Sequence, residues 1–178
     1  MYMPISYEGT VEDYNNLLKG VQLWDVGVER QVQIKGTDAE ALSQFLTPRN
    51  IKKCSKGQAM YAPFLDFKGG FINDPVMLKI DEDCYWFSLA DGDALLWTQG
   101  IAAGYKFDVD IHEPDVSPLQ VQGPNSKELM VKVFGNWIND LGFYRFKEVN
   151  HEGIPMVIAR MGYSRELCYE IFLQDQSK

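Results

Sequence analysis

Residues 61–78, YAPFLDFKGGFINDPVML, constrain the fold of this chain more than any other segment. Gly69 and Gly70 follow Asp66-Phe67-Lys68 and supply the positive-φ residues that a tight strand-to-strand turn requires, so residues 58–65 and 71–80 read as paired strands. Pro75 has no N–H to give to a ladder, which makes the second strand an edge or places a bulge at Asn73-Asp74-Pro75. Asp74 is then a carboxylate just beyond the turn, in otherwise apolar surroundings, where bulges re-aim side chains next to active sites. The plainer alternative is a solvated Asp on an edge strand.

The rest of the chain alternates between the two periodicities. Thr10 and Asp13 have capping-box spacing ahead of Leu17 and Leu18, with Gly20 as the stop, which predicts a short first helix. Val26, Val28, Val32 and Ile34 share one face at period two, so residues 24–35 read as a strand with Arg30 as its one inward charge. Thr37 and Glu40 predict a capped helix through Leu46, Asp91 caps a third helix bearing Leu95, Leu96 and Ile101, and Asn125 with Glu128 caps a fourth. Strands are expected at residues 84–90, 106–112, 118–122, 143–149, 154–160 and 168–173. With no regular βαβ rhythm, the class is α+β: a mixed, largely antiparallel sheet with flanking helices, in one domain over residues 1–178.

Charge and cysteine content narrow the function. Lys and Arg number 17 against 25 Asp and Glu, a formal net charge of −8 that argues against a nucleic-acid surface. No stretch approaches the roughly 20 apolar residues of a membrane helix, and MYMPISYEG lacks the basic start and apolar run of a signal peptide, so no membrane partner and a cytoplasmic setting are expected. Cys54, Cys84 and Cys168 show no CxxC spacing, which fits reduced thiols. His112 and His151 have no His or Cys partner at ligand spacing, so no metal is expected.

Four segments in register carry a resemblance. Tyr61, Gly69-Gly70 and Asn73-Asp74, then Leu23-Trp24-Asp25-Val26-Gly27, Val121-Gln122-Gly123-Pro124, and Met161-Gly162-Tyr163 through Tyr169-Glu170-Ile171 are similar to the tyrosine–GG–double-acid, FDVS, LQGP and TGYTGE…FEL segments of the aminomethyltransferase (glycine-cleavage T-protein) family of tetrahydrofolate enzymes. The wording LWDVGVERQV resembles the branch that demethylates dimethylsulfoniopropionate, with the folate domains of dimethylglycine and sarcosine dehydrogenases close behind. The family continues past the point matching Leu173 through the rest of its folate fold and a small β-barrel. The chain is therefore expected to be a folate-binding domain covering about half of a longer enzyme.

The resemblance implies tetrahydrofolate as cofactor and assigns residues to it. Glu170 matches the glutamate that accepts hydrogen bonds from the pterin, while Tyr61, Phe143 and Tyr163 match aromatic positions near the folate. Ser88 stands where many members have Asn, and Leu78 where they have a tyrosine. Asp74 matches the catalytic acid at the folate N5 region. Glu170 alternates with Tyr169 and Ile171, however, and on pattern alone could face water. A sulfonium donor would favour aromatic faces, which makes Trp137 and Trp24 candidate substrate contacts against the alternative of ordinary packing. A substrate carboxylate would want Arg or Lys, and Arg145 and Arg165 flank the expected pocket elements, against the alternative of solvated surface charges.

Three functions follow from the resemblance. One is tetrahydrofolate-dependent demethylation of dimethylsulfoniopropionate, giving methylthiopropionate and 5-methyltetrahydrofolate. Another is one-carbon capture from a methylamine substrate, as an aminomethyltransferase or dehydrogenase folate domain. The last is a folate-binding assembly protein without turnover. A homodimer is the expected assembly.

Overall fold

A computed structural model describes residues 4–90 and 93–174. Among them are helices α1 (Thr10–Lys19), α2 (Ala39–Leu46), α3 (Ala94–Tyr105) and α4 (Ser126–Phe134). The strands are β1 (Gln22–Asp25), β2 (Gln31–Lys35), β3 (Ala59–Tyr61), β4 (Phe64–Leu65), β5 (Phe71–Asn73), β6 (Val76–Asp81), β7 (Cys84–Ser88), β8 (Asp110–His112), β9 (Ser117–Gln122), β10 (Phe146–His151), β11 (Ile154–Ala159) and β12 (Cys168–Leu173). They form two five-stranded sheets and a two-stranded ribbon. Sheet I runs β1-β9-β12-β11-β10, sheet II runs β3-β6-β7-β2-β8, and β4-β5 is the ribbon. All of these pairings are antiparallel, as an α+β fold of this kind requires.

Burial arranges the chain as helix, sheet, sheet, helix. Val32, Ile34, Met77, Tyr85 and Phe87 of sheet II pack with Leu42 of α2 and Ile101 of α3. Leu78 and Trp86 on the other face of sheet II meet Val157, Ala159 and Phe172 of sheet I, with the Trp86 and Phe172 rings edge to face at 6.5 Å. The outer face of sheet I then packs Val121, Ile158, Tyr169 and Ile171 against Met130 of α4. Strands β7 and β12 are therefore covered on both faces, and each large apolar side chain removed from water there contributes about 1.5–3 kcal/mol.

The glycine turn forms as expected, through one glycine. Only Gly69 takes positive φ, at 84°, and Asp66 Oδ1 closes the turn by accepting the N–H groups of Lys68 and Gly70 at 2.8 Å each. The two long strands are interrupted at Ala62-Pro63 and Asp74-Pro75, so their outer halves form the ribbon and their inner halves pair as β3 and β6. An Ala62 N–H to Pro75 carbonyl bond of 3.0 Å bridges the gap, and the ribbon register shifts at Phe64/Leu65.

Residues 24–35 are not one strand. The Asp25 carboxylate accepts the Gly27 N–H at 3.0 Å and the chain turns, sending β1 to sheet I and β2 to sheet II. Arg30 consequently points outward and pairs with Glu113 at 2.6 Å instead of facing the core. The capping residues also differ. Asp13 accepts the N–H groups of Tyr7 and Glu8, Thr37 donates to Asp108, and the N-caps of α1, α2 and α4 are Gly9, Asp38 and Asn125 without side-chain cap bonds. The Asp91 cap expected for α3 lies outside the described residues.

Candidate active site

Where the layer between the two sheets reaches its open end, it turns from apolar to polar. On sheet I the inward residues of β9 and β12 are Gln120, Gln122 and Glu170, and Gln120 lies directly opposite Glu170 in the register. On sheet II the matching side carries Ser88 at the end of β7, with Tyr61 and Asp74 beside the break in the hairpin. All of these except the fully buried Gln122 border a cleft of about 290 Å3, completed by Glu29, Tyr144, Met161, Gly162 and Tyr163.

Glu170 is buried, 8 % exposed, and does not face bulk water. Gln120 Nε2 donates to its Oε1 at 3.0 Å and to Glu29 Oε2 at 3.2 Å. Burial, reinforced by the neighbouring Glu29 charge and opposed by the Gln120 bond, pushes the Glu170 carboxyl up to about 8. Burial raises Glu29 as well. The Gln120 carbonyl oxygen accepts from Gln122 Nε2 at 2.7 Å, and the Gln122 oxygen accepts from the Ser164 hydroxyl at 2.6 Å. The chain of donors has one direction, from Ser164 to the carboxylates.

Asp74 sits at the opposite wall, exposed, in the two-residue gap between β5 and β6. Among the described residues its carboxylate has no hydrogen-bond or ion-pair partner, so its oxygens are available to a ligand. The adjacent Asn73 turns inward, is buried, and accepts the Ala90 N–H at 3.4 Å. Ser88 is also buried and accepts from Gln31 Nε2 at 3.2 Å, and it borders the cleft with Leu89 and Ala90.

Aromatic rings line the walls. Tyr61 is part-exposed and Tyr163 stands out at the rim. Between them is Tyr144, a non-glycine residue at φ 55°, a conformation that costs on the order of 1–3 kcal/mol and is kept only where its surroundings hold it. They do: its N–H donates to Arg160 O and its carbonyl accepts from Ala59, both at 2.9 Å. Burial and the nearby Glu170 charge raise the Tyr144 hydroxyl's pKa. Gly162 is needed beneath the rim, because a Cβ there would collide with Cys168 Sγ.

Five of the expected residues thus converge: Asp74, Tyr61, Ser88, Tyr163 and Glu170. Phe143 does not line the cleft; it is exposed and packs on Tyr144 at 4.4 Å between ring centroids. Trp24 and Trp137 are elsewhere. Trp24 is on β1 and donates to Gln22, whereas Trp137 packs beneath α4, donates to Phe134 O and already has the Lys147 ammonium over its ring at 4.9 Å. Neither Arg145 nor Arg165 borders the cleft. Glu29, Gln120 and Tyr144 were not anticipated; polar Gln120 and Gln122 at period two within an otherwise apolar strand are the signal that could have found two members of the network.

Comparison with known proteins gives this cleft a family. The profile of the GCVT N-terminal domain matches residues 1–178. The chain belongs to the GCVT N-terminal domain family. It is 44 % identical over 174 residues to dimethylsulfoniopropionate demethylase DmdA of Ruegeria pomeroyi, covering 98 % of this chain and 48 % of that protein. An aminomethyltransferase of Desulfitobacterium hafniense is 26 % identical over 96 % of the chain and 48 % of its own length. The fold matches that of the glycine cleavage system aminomethyltransferase T from Bartonella henselae with a TM-score of 0.86 at 21 % identity, over 96 % of this chain and 47 % of the other. The chain spans about half the length of these relatives. No helix among the described residues is long and apolar enough to cross a membrane.

Proposed function

We propose that this domain belongs to a tetrahydrofolate-dependent methyltransferase that demethylates dimethylsulfoniopropionate, forming methylthiopropionate and 5-methyltetrahydrofolate. The observation that carries the reading is the convergence on one cleft of a buried Glu170, an Asp74 without a partner among the described residues, and three tyrosines. The 44 % identity to a demethylase of that substrate favours the sulfonium donor.

The residues present suit a reduced folate. Glu170 offers an anchored acceptor to the amino and N–H edge of a pterin, and Tyr61, Tyr144 and Tyr163 offer flat walls to its rings, with Phe143 backing Tyr144. Ser88 adds a further polar residue to the wall. Tetrahydrofolate, when bound, supplies a secondary amine, N5, as the methyl acceptor. Asp74 is the group placed to take the N5 proton or to balance positive charge there. A sulfonium methyl leaves a neutral thioether, so the protein's main task is to hold donor and acceptor in line within a closed space. The tyrosine faces suit the cation, each such contact being worth roughly 0.5–2 kcal/mol.

The aminomethyltransferases among the relatives favour a second reading, capture of carbon from an amine donor. The two are separated by incubating the full-length protein with tetrahydrofolate and either dimethylsulfoniopropionate or an amine donor of formaldehyde-level carbon, and assaying both 5-methyl- and 5,10-methylenetetrahydrofolate by mass spectrometry. Product from the sulfonium alone is expected; product from neither overturns methyl transfer. The free thiols Cys54, Cys84 and Cys168 support a cytoplasmic setting, and a homodimer is the assembly we propose for scattering measurements to test.

A further inference from the structure

The cleft holds three carboxylates, Asp74, Glu29 and Glu170, and among its described lining residues no Lys, Arg or His. Two of the three are tied together. A single amide nitrogen, Gln120 Nε2, has two hydrogens and donates one toward Glu170 Oε1 at 3.0 Å and the other toward Glu29 Oε2 at 3.2 Å. Gln120 is 2 % exposed and cannot turn over, because its carbonyl oxygen is taken by Gln122 Nε2, and Gln122, fully buried, is held by Ser164. Each carboxylate therefore gives one oxygen to the amide fork, and among the described residues its other oxygen has no hydrogen-bond partner.

We infer that Glu29 is a second ligand-binding carboxylate, set by Gln120 beside Glu170 so that the two together grip the 2-amino-pyrimidinone edge of the reduced pteridine. The inference rests on the folate reading above. That edge carries an exocyclic amino group with two hydrogens and a ring N–H. One carboxylate can satisfy the ring N–H and one amino hydrogen, which leaves the other amino hydrogen unpaired. An unpaired donor in a desolvated site costs about 1–3 kcal/mol, and a neighbouring carboxylate removes that cost. Glu29 is part-buried and reaches the cleft from the turn between β1 and β2, the point at which the chain passes from one sheet to the other. Gln120 is the positioning residue; Glu29 makes the contact.

The test is a cycle of two ligands and two proteins, read by equilibrium binding to the full-length protein without methyl donor. Wild type and Glu29→Gln are titrated with tetrahydrofolate and with its 2-desamino-2-methyl analogue, which lacks the amino hydrogens. Glu29→Gln is expected to weaken tetrahydrofolate roughly 10- to 100-fold, the range for hydrogen bonds to a charged group, and to leave the analogue's affinity within about twofold. Gln120→Leu, which frees both carboxylates, is expected to weaken tetrahydrofolate as well, and Gln120→Asn not to restore it, since its shorter arm cannot span both acids. Equal affinity of wild type and Glu29→Gln for tetrahydrofolate overturns the inference and leaves the folate reading intact. Equal losses with both ligands also overturn it, because the effect is then not on the amino group. Wild type that fails to bind tetrahydrofolate overturns both.

Discussion

Replacing Glu170 by Gln should change how stability depends on pH. The carboxyl rises from its ordinary 4.5 to about 8 in the folded protein, so between those values the folded state holds a proton that the unfolded state has released. Stability is then fully present below pH 4.5 and falls as pH rises through about 8. At about 1.4 kcal/mol per pH step, the swing across this window is on the order of 5 kcal/mol, a large part of an ordinary domain's stability. The neutral amide of Glu170→Gln can still accept from Gln120 and has no proton to lose. Urea unfolding of wild type and Glu170→Gln at pH 5, 6.5 and 8 should show the wild type weakening stepwise and the variant holding nearly level, overtaking it at the alkaline end. Parallel curves for the two proteins would refute the reasoning, since the carboxyl would then be ionised and solvated in the folded state.

Asp74→Asn should lower turnover by about 10²-fold or more while changing tetrahydrofolate affinity little, measured by steady-state kinetics beside a binding titration; unchanged turnover would mean that the acid takes no part. Gly162→Ala should destabilise the protein by about 1–3 kcal/mol in thermal or urea unfolding, because its Cβ meets Cys168, and Cys168→Ala should partly relieve the loss. Cys84 and Cys168 are buried, and burial raises both thiols to about 11, so an aromatic disulfide reagent at pH 8 should label them only at the rate of unfolding.

Local chemistry was legible in the sequence, and what depended on the second sheet was not. The turn at Gly69 and the break at Pro75 follow from backbone rules that no neighbour can override, and the structure has both. The period-two run from Val26 to Ile34 reads as continuous because valines at 26 and 28 fall in step with Val32 and Ile34, yet Val26 and Val28 lie in the turn, Val28 exposed, and only Val32 and Ile34 are core residues of β2. Glu170 looked outward for a related reason. Alternation with Tyr169 and Ile171 tells which residues share a face, but β12 lies between β9 and β11 with both faces covered, so the polar face is interior. Tyr144 lines the cleft where Phe143 was expected, and it takes a positive φ that no sequence rule assigns to a tyrosine. Trp24 and Trp137 have the ring chemistry a cation favours, and Trp137 a polar sequence setting, but neither fixes where the folded chain puts the ring.

The two ends of the cleft belong to different sheets: Glu170 is carried by one and Asp74 by the other. Besides the apolar layer between the sheets, a short main-chain seam joins them, where Phe146 N–H bonds to Gly57, Gln58 bridges Arg145, and Ala59 N–H bonds to Tyr144. That seam works as a gauge. Sliding it by a single residue would leave the local backbone of each acid unchanged and yet mismatch the span between them to a rigid bicyclic guest, so discrimination by length can be tuned through main-chain pairing.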